Sequence, residues 1–308
     1  MKAIMYHYVR KYDKAFPNFR FLDFDNFRQQ LDFFDRAYGF VTAEEWGRYL
    51  SDGSMPPIDG KVLLTFDDAV SCHFHYVFPE LRSRNLWGIF YVPTSPYTEG
   101  RILDVHRIHL LCGALEGKRL LEYALSIVSE DMISREKRGE FNNKTYTNQL
   151  NYEGVSELKR VLNYLVDYKY RSEIIDAIAK RFDFHFDAST FYITTDQIAE
   201  MAANNMLIGS HTKSHPVMSK LSAYEQSVEI GSSFDFLSSI CKLPLRTYCH
   251  PYGGFHSFND DTMRLLNDHG VDFSFNVEGR EINSQDRFQS IQCLPRFDCN
   301  QFQFGSAS

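Results

Sequence analysis

The sequence contains no Cys-x-x-Cys pair. Its six cysteines, Cys72, Cys112, Cys241, Cys249, Cys293 and Cys299, are scattered through 308 residues. They lack the spacing of a small disulfide-stapled domain or of a thiolate metal site, so they are taken as reduced thiols. No apolar stretch approaches the roughly 18 residues a membrane-crossing helix needs. Met1-Lys2 leads straight into Ala3–Tyr8, too short and too polar for the apolar core of a signal peptide. The expectation is a soluble, cytoplasmic protein with no transmembrane segment. A basic excess is also missing: the formal net charge is −7, which argues against nucleic acid or an anionic membrane as the main partner. Internal repeats and low-complexity tracts are absent, which sets aside a repeat architecture.

What the sequence does have is aromatic weight, 27 Phe and 18 Tyr. Aromatic faces suit sugar rings, although most such residues serve a core. The chain is long enough to bury a substantial core, as one barrel-sized domain or as two smaller ones.

The chain is organised around Leu63-Leu64-Thr65-Phe66-Asp67-Asp68. An apolar run with the length of a buried strand is stopped by two adjacent carboxylates, which a hydrophobic sheet cannot bury unpaired. They must sit at the strand's mouth. Successive strand residues point to opposite sides, so the two acids cannot share a job unless the chain bends there. One is expected to hold a cation, the other to handle protons. Far downstream lies Gly209-Ser210-His211-Thr212-Lys213-Ser214-His215-Pro216. Two histidines four residues apart face the same way if the segment makes one helical turn, a geometry that suits two imidazoles on one metal. Asp68, His211 and His215 together would make a metal site with open positions for water and substrate.

Thr-Phe-Asp-Asp, then His-Thr-x-x-His, then Pro251-Tyr252-Gly253 after another strand, resembles the polysaccharide deacetylases (carbohydrate esterase family 4) related to the nodulation-factor chitooligosaccharide deacetylase. The resemblance runs from about Lys2 to Phe297 and is interrupted by one long insertion. It implies an α/β fold, a distorted (β/α) barrel of about seven strands, and a carbohydrate substrate.

Taken in order, Ala3–Val9 is expected as a first strand carrying His7. A Tyr-His at this place in the family often borders the active site, so His7 is a candidate supporting or acid residue, against the simpler reading of a hydrogen-bonded core histidine. Phe24–Tyr38 has helical spacing and stops at Gly39, and Thr42-Ala43-Glu44-Glu45 is a capping box. Ala69–Leu86 is expected to be helical, with His73 and His75 on its surface, before a strand over Gly88–Val92. Residues 100–187 look like a helical insertion, expected to serve as a lid or substrate-selecting wall within a single 1–308 barrel domain. They contain the helical runs Leu103–Leu115, Lys118–Val128 and Val155–Phe182 and a polar patch over Ser134–Asn151. His106 and His109 share a helix face there, and His106 is a candidate active-site contributor, helix packing being the simpler reading. Alternation then resumes. Thr195-Asp196 is expected to cap a helix and Met206–Gly209 to form a strand. Ser222–Glu225 makes a capping box, followed by strands over Thr247–His250, Val271–Val277 and Ile291–Leu294, with a frayed tail after Phe304.

A divalent metal on Asp68, His211 and His215, most simply zinc although nickel, cobalt or iron suit the same donors, can polarise an amide carbonyl and acidify water. Asp67 would take the water's proton, and the resemblance points to the Tyr252 N–H as an oxyanion donor. The chain departs from the family in two places. The family's late Leu-x-His is missing, which leaves His7, His106, His250 or a re-protonated Asp67 as proton donors. The family's base-orienting arginine, two residues before the proline, is here Cys249, which leaves Arg296 or Arg246 to supply the charge. A surface ion pair with Asp298 is the simpler reading of Arg296.

The expected function is metal-dependent removal of an N-acetyl group, or an N-formyl group, from an amino sugar. The substrate would be a cytoplasmic glycan or surface-polysaccharide precursor, nucleotide-linked or lipid-linked. The alternatives are a catalytically inactive relative that binds glycan or a partner enzyme, and a hydrolase of a non-sugar amide.

Overall fold

Val62–Phe66 (β4) is buried at every position, as an unbroken apolar run requires of a parallel strand covered on both faces. In the computed structural model, which describes residues 1–133 and 152–307, the chain divides into two units: Met1–Lys11, Phe21–Arg101 and Ser189–Ser308 form the first, Tyr12–Arg20 and Ile102–Ala188 the second.

The first unit holds a seven-stranded parallel sheet curled into an incomplete barrel. Its strands are β1 (Lys2–Tyr6), β4, β5 (Ile89–Val92), β6 (Leu207–Ser210), β7 (Thr247–Cys249), β8 (Phe273–Phe275) and β9 (Phe297–Asp298), in the spatial order β8-β7-β6-β5-β4-β1-β9. A two-residue parallel pair, β2 (Val9–Arg10) with β3 (Leu22–Asp23), stands apart. Ile4 of β1 pairs with Phe297, while Leu294 forms a parallel bridge to Phe275 of β8. The segment 294–297 therefore spans the seam between the two edge strands. A strand over Ile291–Leu294 does not form: Ile291–Cys293 is a 3-10 turn, and regular pairing starts only past Pro295. The tail is also anchored, since Gly305 is buried and its N–H donates to the Phe302 carbonyl at 3.0 Å.

Alternation along the strands sorts two layers. Ala3, Leu63, Ile89, Tyr91, Leu207 and Cys249 face inward, with Trp46 and Phe275 filling the interior. Ile4, Leu64, Phe66, Phe90 and Ile208 face outward against the helices. The helices of this unit are α1 (Phe24–Ala37), α2 (Ala43–Asp52), α3 (Phe78–Ser83), α4 (Ser95–Glu99), α9 (Thr195–Ala203), α10 (Ala223–Ile240), α11 (Asp260–Asp268) and α12 (Asp286–Gln289). Of these, α1, α3, α9 and α10 bury residues in the outward layer and α2 sends Trp46 and Tyr49 into the inner one. The capping boxes form at Thr42/Glu45 and Ser222/Glu225, and for α9 one residue earlier than expected, at Thr194/Gln197. Ala69–Leu86 is not one helix: a π-helical turn over His73–Val77 precedes α3. That turn buries His73 completely, contrary to its expected surface position, and leaves His75 exposed.

The second unit contains α5 (Asp104–Ala114), α6 (Gly117–Ile127), α7 (Val155–Arg160) and α8 (Tyr168–Arg181) around Ile108, Leu111, Leu120, Leu162 and Ile175. Buried Arg107 pairs with Asp104 at 3.0 Å and with Asp176. Among its described residues the only β pairing is the bridge Ile133–Val166. Tyr12–Arg20 joins this unit through the Asn18 N–H on the Gly113 carbonyl, 2.9 Å, a contribution the sequence does not signal. The polar patch Ser134–Asn151 lies outside the described residues. No helix among the described residues is long and apolar enough to cross a membrane.

Candidate metal centre and active site

Inward-facing positions of β4 continue through Thr65 to Asp67. Asp68 breaks the alternation: its φ is +84° and that of Ala69 is +52°, so the chain turns out of the sheet and the two carboxylates separate. Of the nine non-glycine residues with positive φ among the described residues, Asp68, Ala69, Thr212, His215 and Tyr252 belong to this mouth. Such conformations cost about 1–3 kcal/mol each and persist where surrounding structure over-determines them. His211 and His215 thus converge without the expected helical turn. Left-handed residues at Thr212 and His215 fold the loop back on itself, and the His215 N–H donates to the Thr212 hydroxyl at 2.9 Å.

The Asp68 Oδ1 lies 3.5 Å from the His211 Nε2 and 3.7 Å from the His215 Nε2, with all three side chains buried. Tetrahedral zinc with donors at about 2.0–2.2 Å holds those donors about 3.4 Å apart, so the triad fits one divalent ion. His211 Nδ1 donates to the Cys249 carbonyl at 2.9 Å, which turns the Nε2 lone pair toward Asp68. Burial pushes His211 below its ordinary range, which keeps the imidazole neutral, the form that binds metal. Gly209, two residues earlier, has to lack a side chain: a Cβ would stand 2.6 Å from the Tyr91 ring.

Asp67, His211 and Cys249 also place one donor atom each within 4.8 Å of one another. Their chemistry does not suit an ion. Both Asp67 oxygens already accept from Arg296, Nη1 to Oδ1 and Nη2 to Oδ2, each at 2.8 Å. Cys249 is held as a neutral thiol, burial pushing it well above the usual range. Its Sγ accepts from Arg296 Nη2 at 2.9 Å and donates to Asp67 Oδ2 at 3.4 Å. Arg296 donates further to the Thr65 hydroxyl at 3.0 Å and the Asn276 carbonyl at 3.1 Å. Burial alone would raise the Asp67 carboxyl, but the charge and hydrogen bonds of Arg296 outweigh it and bring it down to about 2.

Arg296 is therefore no surface partner of Asp298: it is 1% exposed, whereas Asp298 caps the following turn by accepting from the Asn300 N–H. Arg246 lies against the Phe234 ring. The place left by the family's arginine holds a small thiol, and a guanidinium from the closing segment fills the space.

His7 is partly exposed, and its Nε2 lies 4.0 Å from both Asp67 Oδ2 and Asp68 Oδ2. Buried His73 donates from Nε2 to the His7 carbonyl at 2.6 Å and so props it from behind. The Tyr252 ring packs edge-on against His215, centroids 4.9 Å apart, at φ +63°. Gly253 follows at φ +67°, where a Cβ would meet Val277 at 2.4 Å. His250 leaves the set of proton donors: its Nε2 contacts the Gln292 carbonyl at 2.8 Å, its ring stacks on Phe258, and burial lowers it to about 3. His106 is buried on α5 in the second unit, its ring 6.1 Å from that of His109. The sequence reading also passes over Glu229 of α10, whose carboxylate accepts from the loop between the two histidines; its position after a capping box was the only available signal.

A family profile described as polysaccharide deacetylase matches residues 156–274, the span that supplies His211, His215 and Tyr252; β4 brings in Asp67 and Asp68 from outside it. The profile likeness to the polysaccharide deacetylases thus covers somewhat over a third of the chain. Among solved structures, Streptococcus pyogenes deacetylase PplD in complex with acetate superposes with a TM-score of 0.60 at 18% identity, over 97% of this chain and 91% of that one. IcaB from Ammonifex degensii gives 0.51 at 18%, over 96% and 90%. A de-N-acetylase from Aggregatibacter actinomycetemcomitans gives 0.51 at 14%, over 96% and 93%. At such identities the likeness is one of fold. A search of curated proteins finds no significant match.

Proposed function

We propose that this polysaccharide deacetylase relative is a divalent-metal-dependent hydrolase that removes the N-acetyl group of an amino sugar. The observation that carries the reading is the convergence of Asp68, His211 and His215 on one point, with Asp67 beside them in the grip of Arg296. When bound there, a divalent ion, zinc by donor type, supplies Lewis acidity to the acetamide carbonyl and lowers the pKa of water toward about 7.

The chain's own residues do the rest. Asp67, ionised at any working pH, accepts the proton of the attacking water. Arg296 fixes both oxygens of Asp67, so the acceptor cannot rotate away. The Gly253 N–H of the strained Tyr252-Gly253 turn is taken by the His250 carbonyl, so the Tyr252 N–H is the donor this reading assigns to the developing oxyanion. His7 stands beside both carboxylates without being a donor to the ion, and its exposure lets it exchange protons with solvent, which suits protonation of the leaving amine.

The catalytically inactive alternative drew on two absences, and the Arg296 clamp supplies what one of them lacked. The choice of a cytoplasmic glycan or surface-polysaccharide precursor, nucleotide-linked or lipid-linked, rests on the sequence reading alone. Acetate release from N-acetylated sugar oligomers by zinc-loaded protein, lost in Asp67→Asn while zinc is retained, is the expected result. Full turnover by Asp67→Asn removes Asp67 as the base, and preference for a cyclic amide over a sugar moves the protein to another substrate class.

A further inference from the structure

The loop between His211 and His215, Thr212–Ser214, presents six backbone polar groups, and five of them have hydrogen-bond partners on the elements around it. On one side the Thr212 and Lys213 carbonyls accept from Thr94 N–H, at 3.3 and 3.1 Å, and the Lys213 carbonyl also accepts from Ser95 N–H at 2.8 Å. On the other, Lys213 N–H and Ser214 N–H both donate to Glu229 Oε2, at 2.9 and 2.7 Å, and the Ser214 hydroxyl donates to Oε1 at 2.6 Å. Ser233, one turn further along the same face of α10, bonds Ser210 at 2.5 Å, and Ser210 accepts the Thr212 N–H at 3.2 Å. The loop is clamped between two helices across the interval that sets the spacing of the imidazoles, with left-handed residues at both ends.

We propose that Glu229 is a positioning residue for the metal centre: its carboxylate holds the Lys213-Ser214 peptide and thereby fixes where His211 and His215 point. The inference rests on the metal reading of the triad. A carboxylate suits the task because two N–H groups converge on Oε2 and a hydroxyl on Oε1, and an ionised acceptor makes these bonds charge-assisted and stronger than a neutral one would. Glutamine at 229 keeps the shape but removes the charge, so both N–H bonds weaken to neutral ones and the Ser214 hydroxyl has to turn from donor to acceptor.

The test is zinc affinity, measured by competition with a chromophoric chelator on the full chain, beside thermal melting of the same proteins in excess chelator. Glu229→Gln is expected to weaken zinc binding on the order of 10-fold to 100-fold, with the metal-free melting temperature held within about 3 °C. Ser214→Ala, which loses only the hydroxyl contact, is expected to weaken binding several-fold, and it decides the matter if Glu229→Gln does not fold. Unaltered affinity in the folded variants overturns the proposal, as does a fall in affinity matched by a large fall in metal-free melting temperature. A wild-type protein that takes up no zinc overturns the metal reading and this one with it; tight wild-type binding with unaltered variants overturns this one alone.

Discussion

Asp67 and Asp68 leave the same strand one residue apart, yet the first lies against a guanidinium and a thiol while the second lies against two imidazoles. A buried carboxylate needs compensating positive charge or hydrogen-bond donors. The chain meets that need in opposite ways, spending its own arginine on Asp67 and facing Asp68 with donors suited to a foreign cation. A single left-handed turn at Asp68 and Ala69 makes the division possible. Two chemically identical side chains thereby acquire separate tasks.

The largest effects should come from the imidazole side. Asp68→Ala, His211→Ala and His215→Ala are each expected to lose zinc by more than the roughly 100-fold at which loss of a supporting hydrogen bond tops out, as read by equilibrium dialysis, with acetate release lost in step. Tight zinc binding by any of them would break the comparison. On the arginine side, Asp67→Asn should keep its zinc while turnover falls by about 10²–10⁴-fold, so that metal content and rate part company. Arg296→Met leaves a buried carboxylate without its cation and is expected to destabilise the fold by about 3–5 kcal/mol in urea unfolding. Adding Asp67→Asn should recover part of that loss, because the pair acts as a unit.

A smaller effect concerns acid stability. Burial depresses His73 to about 4 and His250 to about 3, below the unfolded value near 6.5. The unfolded chain binds more protons in that window, so this stability is full above pH 6.5 and drains as pH falls toward 4 and 3. Each histidine should cost on the order of 2 kcal/mol by pH 5. Asp67, also depressed, depends on pH in the same direction but in a lower window, contributing fully above 3.8 and losing its share as pH falls from there through about 2. Denaturant midpoints at pH 7.5 and pH 5 should differ accordingly, less so in His250→Gln; an unchanged slope in that variant would reassign the effect. The smallest change expected is Cys249→Ser, about 1 kcal/mol, since a hydroxyl can still donate to Asp67 and accept from Arg296.

Much of this was written plainly in the sequence. Leu63-Leu64 stopping at two acids located a strand end, and the capping boxes at Thr42 and Ser222 located helix starts, because each depends on neighbours a few residues away. The convergence of Asp68 with His211 and His215 was legible as a motif but not as a geometry: Thr212 and His215 adopt a backbone usually left to glycine, and nothing in their identity announces it. The π-turn that buries His73 had no local signal either. Arg296 was visible only as a charge missing at Cys249, since a substitution at one strand end answered from another leaves no trace in spacing. Glu229 looked like any acid on an amphipathic helix. The seam near Leu294 defeated the strand expectation because it is joined by one bridge and then by β9, too little pairing for periodicity to register.

That seam has a bearing on how the protein comes to be active. The three candidate ligands and Asp67 all precede residue 216, but the guanidinium that holds Asp67 belongs to the segment 294–297, paired to β8 at Leu294 and to β1 at Phe297. During synthesis, Asp68, His211 and His215 emerge from the ribosome before Arg296. On the proposed mechanism, competence for hydrolysis waits on the docking of this segment, and its fraying would release Asp67 from its clamp while most of the sheet stayed paired.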